Sequence, residues 1–150
     1  MANSTRPQEA TAMLRADHKK VSQLFAQYEQ ARTREHKRTL VDEICTELLV
    51  HAQLEEEIFY PAVKAALQDH ELIPEGIVEH ASIKQLIEHL RDAEPDGEMF
   101  DAKVKVMGEF VEHHVKEEQN EMFPKARKSE LNMRELGRRL AERKQQLLQR

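Results

Sequence analysis

The stretch His51-Ala-Gln-Leu-Glu55-Glu-Glu-Ile-Phe-Tyr-Pro61 decides the reading of this chain, because His114-Val-Lys-Glu-Glu118-Gln-Asn-Glu-Met-Phe-Pro124 repeats its pattern 63 residues later. In each copy a Glu follows a His by four residues and a Pro follows the same His by ten. Residues four apart share one face of an α-helix. Each copy therefore offers an imidazole and a carboxylate side by side, a donor pair that suits a transition metal. Two further histidines extend the pattern: His18 stands 33 residues before His51, and His80 stands 34 before His114. The chain reads as His, His-x3-Glu, His, His-x3-Glu, a duplicated half-site.

Apolar periodicity outward from these motifs predicts long helices. Helix 1 is expected from near Pro7 to about Gln30, with the stripe Leu14, His18, Val21, Phe25. Thr33 is a candidate N-cap for a second helix that carries Leu40, Ile44, Leu48, His51, Glu55, Ile58 and Ala62 and ends near Asp69. Pro61 lies inside it and should bend it or loosen one turn, because its ring removes an N–H and crowds the preceding turn. Ile73-Pro74-Glu75-Gly76 reads as a break, and the next helix carries Ile77, His80, Ile83, Ile87 and Leu90. Glu94-Pro95-Asp96-Gly97 is the clearest turn, followed by Phe100, Val104, Met107, Val111, His114, Glu118 and Met122 at helical spacing. After Ser129, Met133, Leu136, Leu140 and Leu147 mark a shorter amphipathic helix with a basic outer face. The expected fold is all-α: an up-down-up-down four-helix bundle over about residues 10–128, with an additional C-terminal amphipathic helix over about 130–149.

Composition agrees. At 150 residues one domain is expected, and 4 Gly, 5 Pro and 34% charged residues suit a helical chain rather than a sandwich or a disordered one. Cys45 stands alone, which excludes an internal disulfide and a cysteine-based zinc or iron–sulfur site; it reads as a small buried hydrophobe. No apolar stretch reaches the roughly 18 to 20 residues that span a membrane, and Met1-Ala-Asn-Ser-Thr-Arg-Pro7 lacks the apolar core of a signal peptide. The expected location is cytoplasmic. Net charge is −5, yet Lys125 to Arg150 holds nine Lys/Arg against three Glu. Such a basic helix is more often solvated on its polar face than bound to nucleic acid.

A lone His on an apolar stripe is usually a hydrogen-bonded core residue. Four of them together with two carboxylates on inward stripes would frustrate a core unless a cation compensated the charge. His18, His51, Glu55, His80, His114 and Glu118 are therefore the candidate metal ligands. His113 is the rival to His114, although alignment on the Pro of each copy favours His114. Glu56, Glu57 and Glu117 read as an acidic face, solvated or just outside the ligands. His36, His70 and His89 read as surface residues. Phe59, Tyr60 and Phe123 read as core rather than a ligand gate; Tyr60 could donate a hydrogen bond near the site, but spacing alone does not place it there. Six protein donors exceed one tetrahedral zinc site. Mixed imidazole and carboxylate suits iron, with manganese or zinc as alternatives. Two Glu reaching between two ions would make a carboxylate-bridged pair, although the Glu-x-x-His spacing of ferritin-like sites is absent.

At this level of detail the chain resembles the hemerythrin-like, or HHE cation-binding, domain. The resemblance rests on Asp17-His18-Lys19-Lys20, both His-x3-Glu runs through Pro61 and Pro124, and Glu79-His80, and it covers roughly residues 10 to 128. It implies two iron ions bridged by an oxo or hydroxo group and by Glu55 and Glu118, with His18, His51, His80 and His114 as terminal ligands. One departure bears on function. Oxygen-carrying hemerythrins have a His-x3-His pair on the third helix, whereas the neighbours of His80 here are Gly76 and Lys84. The fourth helix also has Glu four residues after His114, where the carriers use Asp at a longer spacing. The resemblance thus points away from reversible oxygen transport. It implies a protein that binds dioxygen, nitric oxide or peroxide at an open iron position, for sensing, storage or stress protection. Redox turnover of peroxide or nitric oxide, iron-centre repair, and an iron-responsive regulatory role are alternatives. In the last of these the C-terminal helix would meet a second copy or a protein partner.

Overall fold

The computed structural model describes residues 8–149, and those residues are helical without a strand. The α-helices are α1 (Ala10–Gln30), α2 (Arg34–Leu54), α3 (Tyr60–Leu67), α4 (Leu72–Arg91), α5 (Gly97–Glu117), α6 (Phe123–Lys128) and α7 (Met133–Leu148). Pro7, expected near the first helix start, lies outside the described residues. The Glu9 carboxylate caps α1, accepting from the backbone N–H of Thr11 at 2.9 Å and of Ala12 at 3.1 Å. Thr33 caps α2 as its sequence predicts, its hydroxyl accepting from His36 N–H at 3.1 Å.

The expected break at Ile73-Pro74-Glu75-Gly76 is instead the first turn and beginning of α4. The chain turns earlier, at Gln68, whose φ of 50° is left-handed. Asp69 then accepts from the backbone N–H of Glu71, Leu72 and Ile73 at 3.2, 3.2 and 2.7 Å. Pro74 is harmless in a first turn, where backbone N–H groups have no partner inside the helix. The inward stripe of α4 accordingly runs through Ile73, Gly76, His80, Ile83, Ile87 and Leu90, and Ile77 is exposed.

The loosened turn expected near Pro61 occurs, and it occurs in both copies. A π-helical turn, Glu55–Phe59, joins α2 to α3, and a second, Glu118–Met122, joins α5 to α6. Each closes with a bond from residue i+5 to residue i: Tyr60 N–H to the Glu55 carbonyl, and Phe123 N–H to the Glu118 carbonyl. In both copies the proline follows immediately, in the first turn of the next helix. The wider turn takes up an extra residue, so the buried stripe moves on by one. Phe59 and Val63 are buried where Ile58 and Ala62 were expected, and those two are only partly covered.

Two apolar clusters form the core. One gathers Val21, Leu24, Val41, Ile44, Leu48, Ile83, Ile87, Val104 and Met107, with Cys45 buried among them. The other gathers Leu14, Leu54, Phe59, Tyr60, Ile73, Met122, Phe123, Leu136 and Leu140. Every candidate ligand falls, along its own helix, between residues of the first cluster and residues of the second. Helix α7 lies against α1 and α2. Its basic face is engaged within the chain: Arg138 pairs with Glu135 and Glu142, Arg143 with Glu57, and Lys144 with Asp17. No helix among the described residues is long and apolar enough to cross a membrane.

Gly137 sets how closely α7 approaches the start of α1, since a Cβ there would run into the Gln8 carbonyl oxygen just before it. Gly137→Ala gains about 1 kcal/mol of helix propensity, but backbone displacement costs about 1–3 kcal/mol. Urea unfolding should therefore find the variant less stable. Equal or greater stability would refute the close approach.

Candidate metal centre

The structure brings all six candidate ligands together. Nitrogen and oxygen donors of His18, His51, Glu55 and Glu118 lie within 4.8 Å of one another, and so do those of Glu55, His80, His114 and Glu118. Both groups contain the same two glutamates. They are called half A (His18, His51) and half B (His80, His114) below. Glu55 and Glu118 are 0% and 1% exposed, which places two carboxylates out of water. His113, the rival to His114, is exposed and reaches Glu79 and Glu117 at 3.5 and 3.7 Å, away from the cluster. His36, His70 and His89 are exposed, as expected.

The histidine rings are oriented from behind. His51 Nδ1 lies 3.1 Å from Asp17 Oδ2, His80 Nδ1 2.7 Å from Glu56 Oε2, and His114 Nδ1 2.5 Å from Glu79 Oε1. His18 Nδ1 lies 2.9 Å from Gln119 Oε1. A carboxylate or amide oxygen accepts, so each Nδ1 carries the proton and donates it. Each Nε2 lone pair is then turned inward, the tautomer a metal requires. Inside the cluster His18 Nε2 and His51 Nε2 are 3.2 Å apart, and His80 Nε2 and His114 Nε2 are 3.1 Å apart. Lone pairs that close repel unless a cation or a proton intervenes. Donors at right angles around an ion about 2.0–2.1 Å away would stand about 3 Å apart.

Charge leads to the same point. Burial alone would lower the pKa of His51, but Glu55, Asp17 and Glu118 outweigh it and push the pKa up to about 10. For His114 burial is likewise outweighed, by Glu118 and Glu55, and the pKa rises to about 12. Burial would raise Glu55, yet His51, His114 and His80 hold it well below the usual carboxylate range. The cluster thus demands positive charge. Glu55 Oε2 and Glu118 Oε1 are buried without a hydrogen-bond partner. They stand 3.2 Å from His51 Nε2 and 3.2 Å from His18 Nε2, close contacts that lack hydrogen-bond alignment. Converging lone pairs and orphaned carboxylate oxygens fit a cation better than a self-contained polar core.

Tyr60 is the residue that spacing left unplaced, and the hydrogen bond the sequence allowed it is present. Its hydroxyl donates to Glu118 Oε2 at 2.6 Å and also lies 3.1 Å from Glu55 Oε1, 3.2 Å from His114 Nε2 and 3.4 Å from His80 Nε2. It touches every donor residue of half B. Nine residues from His51, it would face the opposite side of a regular α-helix; the π turn brings it round. Gly76 makes the room, because a Cβ there would be 2.8 Å from the Tyr60 oxygen. Burial, then Glu55 and Glu118, hold the Tyr60 pKa well above its ordinary value. Asp17, Glu79 and Gln119 were missed in role. The available signal was an acidic residue directly before each upstream His and a polar one directly after each buried Glu. Of the suspected acidic face, Glu56 holds His80, while Glu57 pairs with Arg143.

A buried histidine–carboxylate cluster of this kind inside an all-α fold defines a cation-binding protein. Comparison with known families identifies which: residues 9–126 match the model of the hemerythrin HHE cation binding domain, and the chain belongs to that family. Among solved structures it is similar to a hemerythrin HHE cation binding domain-containing protein from Mycobacterium kansasii, with a TM-score of 0.80 and 24% identity over 93% of this chain and 87% of that one. That likeness speaks for the fold. The chain is also 28% identical over 111 residues to a protein of Nostoc sp. named DNA nickase. The match covers 74% of this chain and 31% of that protein, so the chain spans less than a third of its length.

Tyr60→Phe removes the hydroxyl donor to Glu118 Oε2, leaving it only His114 Nε2 at 3.1 Å, a loss of about 1–3 kcal/mol. Chemical denaturation of chelator-treated protein should show this loss, and an unchanged midpoint would contradict the hydrogen bond.

Proposed function

We propose that this chain is a non-haem di-iron protein of the cytoplasm, a single hemerythrin-like domain that binds dioxygen, nitric oxide or peroxide at an open iron position for sensing, storage or stress protection. In this reading His18 and His51 hold one iron, His80 and His114 hold the other, and Glu55 and Glu118 bridge them. The scaffold is an up-down-up-down four-helix bundle, extended by the amphipathic α7. The observation that carries the reading is that two four-donor clusters share both of their glutamates. Sharing of that kind suits a pair of ions rather than one. Mixed imidazole and carboxylate donors favour iron, with manganese or zinc as the competitors.

Iron, when bound, supplies the redox chemistry and the affinity for a small diatomic or peroxidic ligand. The chain supplies the surroundings. An apolar cavity of about 30 Å³ adjoins the four histidines, closed by Val21, Leu48, Ile83, Ile87 and Val111. That is room for a guest the size of a water or a diatomic molecule. Tyr60, Glu55 and Glu118 do not line it, so the cavity and the carboxylates meet the histidines from different sides. Redox turnover is the neighbouring reading, favoured by the Tyr60 hydroxyl, a hydrogen-bond donor in contact with half B.

Anaerobic loading with iron(II), followed by metal analysis, should give about two irons per chain, as expected of a carboxylate-bridged pair. Optical spectra should then change on admitting oxygen or nitric oxide. One iron or none would sink the reading. Glu55→Ala and Glu118→Ala should each lose the paired site, and full iron in both would reassign the ligands. Catalytic consumption of peroxide or nitric oxide, against stoichiometric binding, separates the enzyme from the binder.

A further inference from the structure

The donor cluster is almost two-fold, and the places where the two-fold fails separate its halves. Asp17-His18 on α1 corresponds to Glu79-His80 on α4, and the His51 copy corresponds to the His114 copy. Each upstream acidic residue holds the downstream histidine of its own half: Asp17 holds His51 and Glu79 holds His114. The residue after each buried glutamate holds the upstream histidine of the other copy: Glu56 holds His80 and Gln119 holds His18. The ring that follows each π turn stacks on that same histidine, Tyr60 on His80 at 5.4 Å and Phe123 on His18 at 5.9 Å.

Two substitutions break this symmetry, and the carboxylate among them sets the direction. Half B has Glu56 where half A has Gln119, and Tyr60 where half A has Phe123. A histidine that donates to a carboxylate is a more basic ligand than one that donates to a neutral amide. Nearby lysines do not cancel the difference. Lys84 lies on Glu56 at 3.0 Å, and Lys144 lies on Asp17 at 2.7 Å, one cation on each side. With those two pairs set aside, half B keeps the Glu79 carboxylate and half A keeps the neutral Gln119. The nearest further basic group to Glu79 is the exposed His113, 3.5 Å away. An anion close to a dication in a partly buried setting contributes more than an amide dipole does.

The geometry points to an unequal metal pair: the ion held by His80 and His114 loads first and is retained, and the ion held by His18 and His51 loads second and exchanges. This rests on the paired-ion reading above. It gives the two positions separate roles, one that organises the buried glutamates and one whose occupancy follows the supply of metal.

Anaerobic titration of the metal-free full chain with iron(II), in competition with a chromophoric chelator, tests it. Wild type should take two ions in two resolved steps. His80→Ala should abolish the tight step, and His18→Ala should leave it. Glu79→Gln should weaken the tight step by about 10- to 100-fold, the usual effect of losing such a partner. Gln119→Glu should tighten the weak step and bring the two together. That gain is not expected from a merely structural role. The inference is overturned if His18→Ala removes the tight step, if Glu79→Gln weakens both steps equally, or if Gln119→Glu leaves the weak step unchanged. Wild type taking fewer than two ions overturns the paired reading itself, and circular dichroism of each metal-free variant separates lost folding from lost affinity.

Discussion

Two carboxylates buried side by side, Glu55 and Glu118, are the constraint around which the rest of the molecule is arranged. Taking a carboxylate out of water costs several kcal/mol even after relaxation, and two together also repel. The compensation is built from four directions. Four histidines turn Nε2 toward the carboxylates, and four acceptors behind them, Asp17, Glu56, Glu79 and Gln119, fix which nitrogen carries the proton. Tyr60 donates the one hydroxyl. Protons drawn onto His51 and His114, or a cation in their place, balance the negative charge, and the oxygens Glu55 Oε2 and Glu118 Oε1 remain without a hydrogen bond. The two apolar clusters above and below keep water from supplying it.

The π turns translate that constraint into sequence. A carboxylate must point inward at one position, and an aromatic ring must reach the same level five residues later. A regular α-helix cannot do both, because residues five apart diverge by more than a quarter turn. The i+5 to i bond closes that gap at Glu55–Tyr60 and again at Glu118–Phe123. The proline that follows, which cannot donate a backbone bond of its own, stabilises the interruption by making a regular turn poorer. The fixed distance from each His to its Pro is thus part of the site's geometry.

The six inward donors were legible in the sequence because they obey helical spacing and because polar groups on apolar stripes need a reason. The all-α fold followed from the same periodicity. What was not legible depended on departures from that period. Phe59 and Tyr60 are core as read, but the buried stripe was drawn through Ile58 and Ala62 instead of Phe59 and Val63, and Tyr60 was left unplaced at the site, because 3.6-residue counting does not see a π turn. The start of α4 was read five residues late because Pro74 and Gly76 carry the signature of a break; Asp69 does the capping from outside the segment. Gly76 owes its place to the Tyr60 hydroxyl rather than to a turn. The acceptors behind the histidines come from neighbouring helices, and no single stripe records a partner 24 to 101 residues away.

Gly76 and Lys84 also explain how this chain differs from a pattern with a second histidine on α4. They lie one turn either side of His80, where such a ligand would stand. Gly76 yields its volume to Tyr60, so the half that lacks an additional imidazole has a phenol oxygen in contact with all its donors. Lys84 turns its ammonium to Glu56, at 3.0 and 3.1 Å, and its stem closes the small cavity. The two ends of the histidine cluster therefore differ in kind. Toward the π turns it meets carboxylates and a hydroxyl, groups that hold charge and protons. Toward the centre of α1, α2, α4 and α5 it meets mainly Val21, Leu48, Ile83, Ile87 and Val111, with Asp17 and Lys84 at the edge. In the proposed reading a small uncharged guest meets the histidines from the second end and leaves the hydrogen bonds of the first in place. The apolar space and the charge-compensating groups thus lie on different sides of one cluster, so a change in the size of the cavity need not alter the binding of the cation.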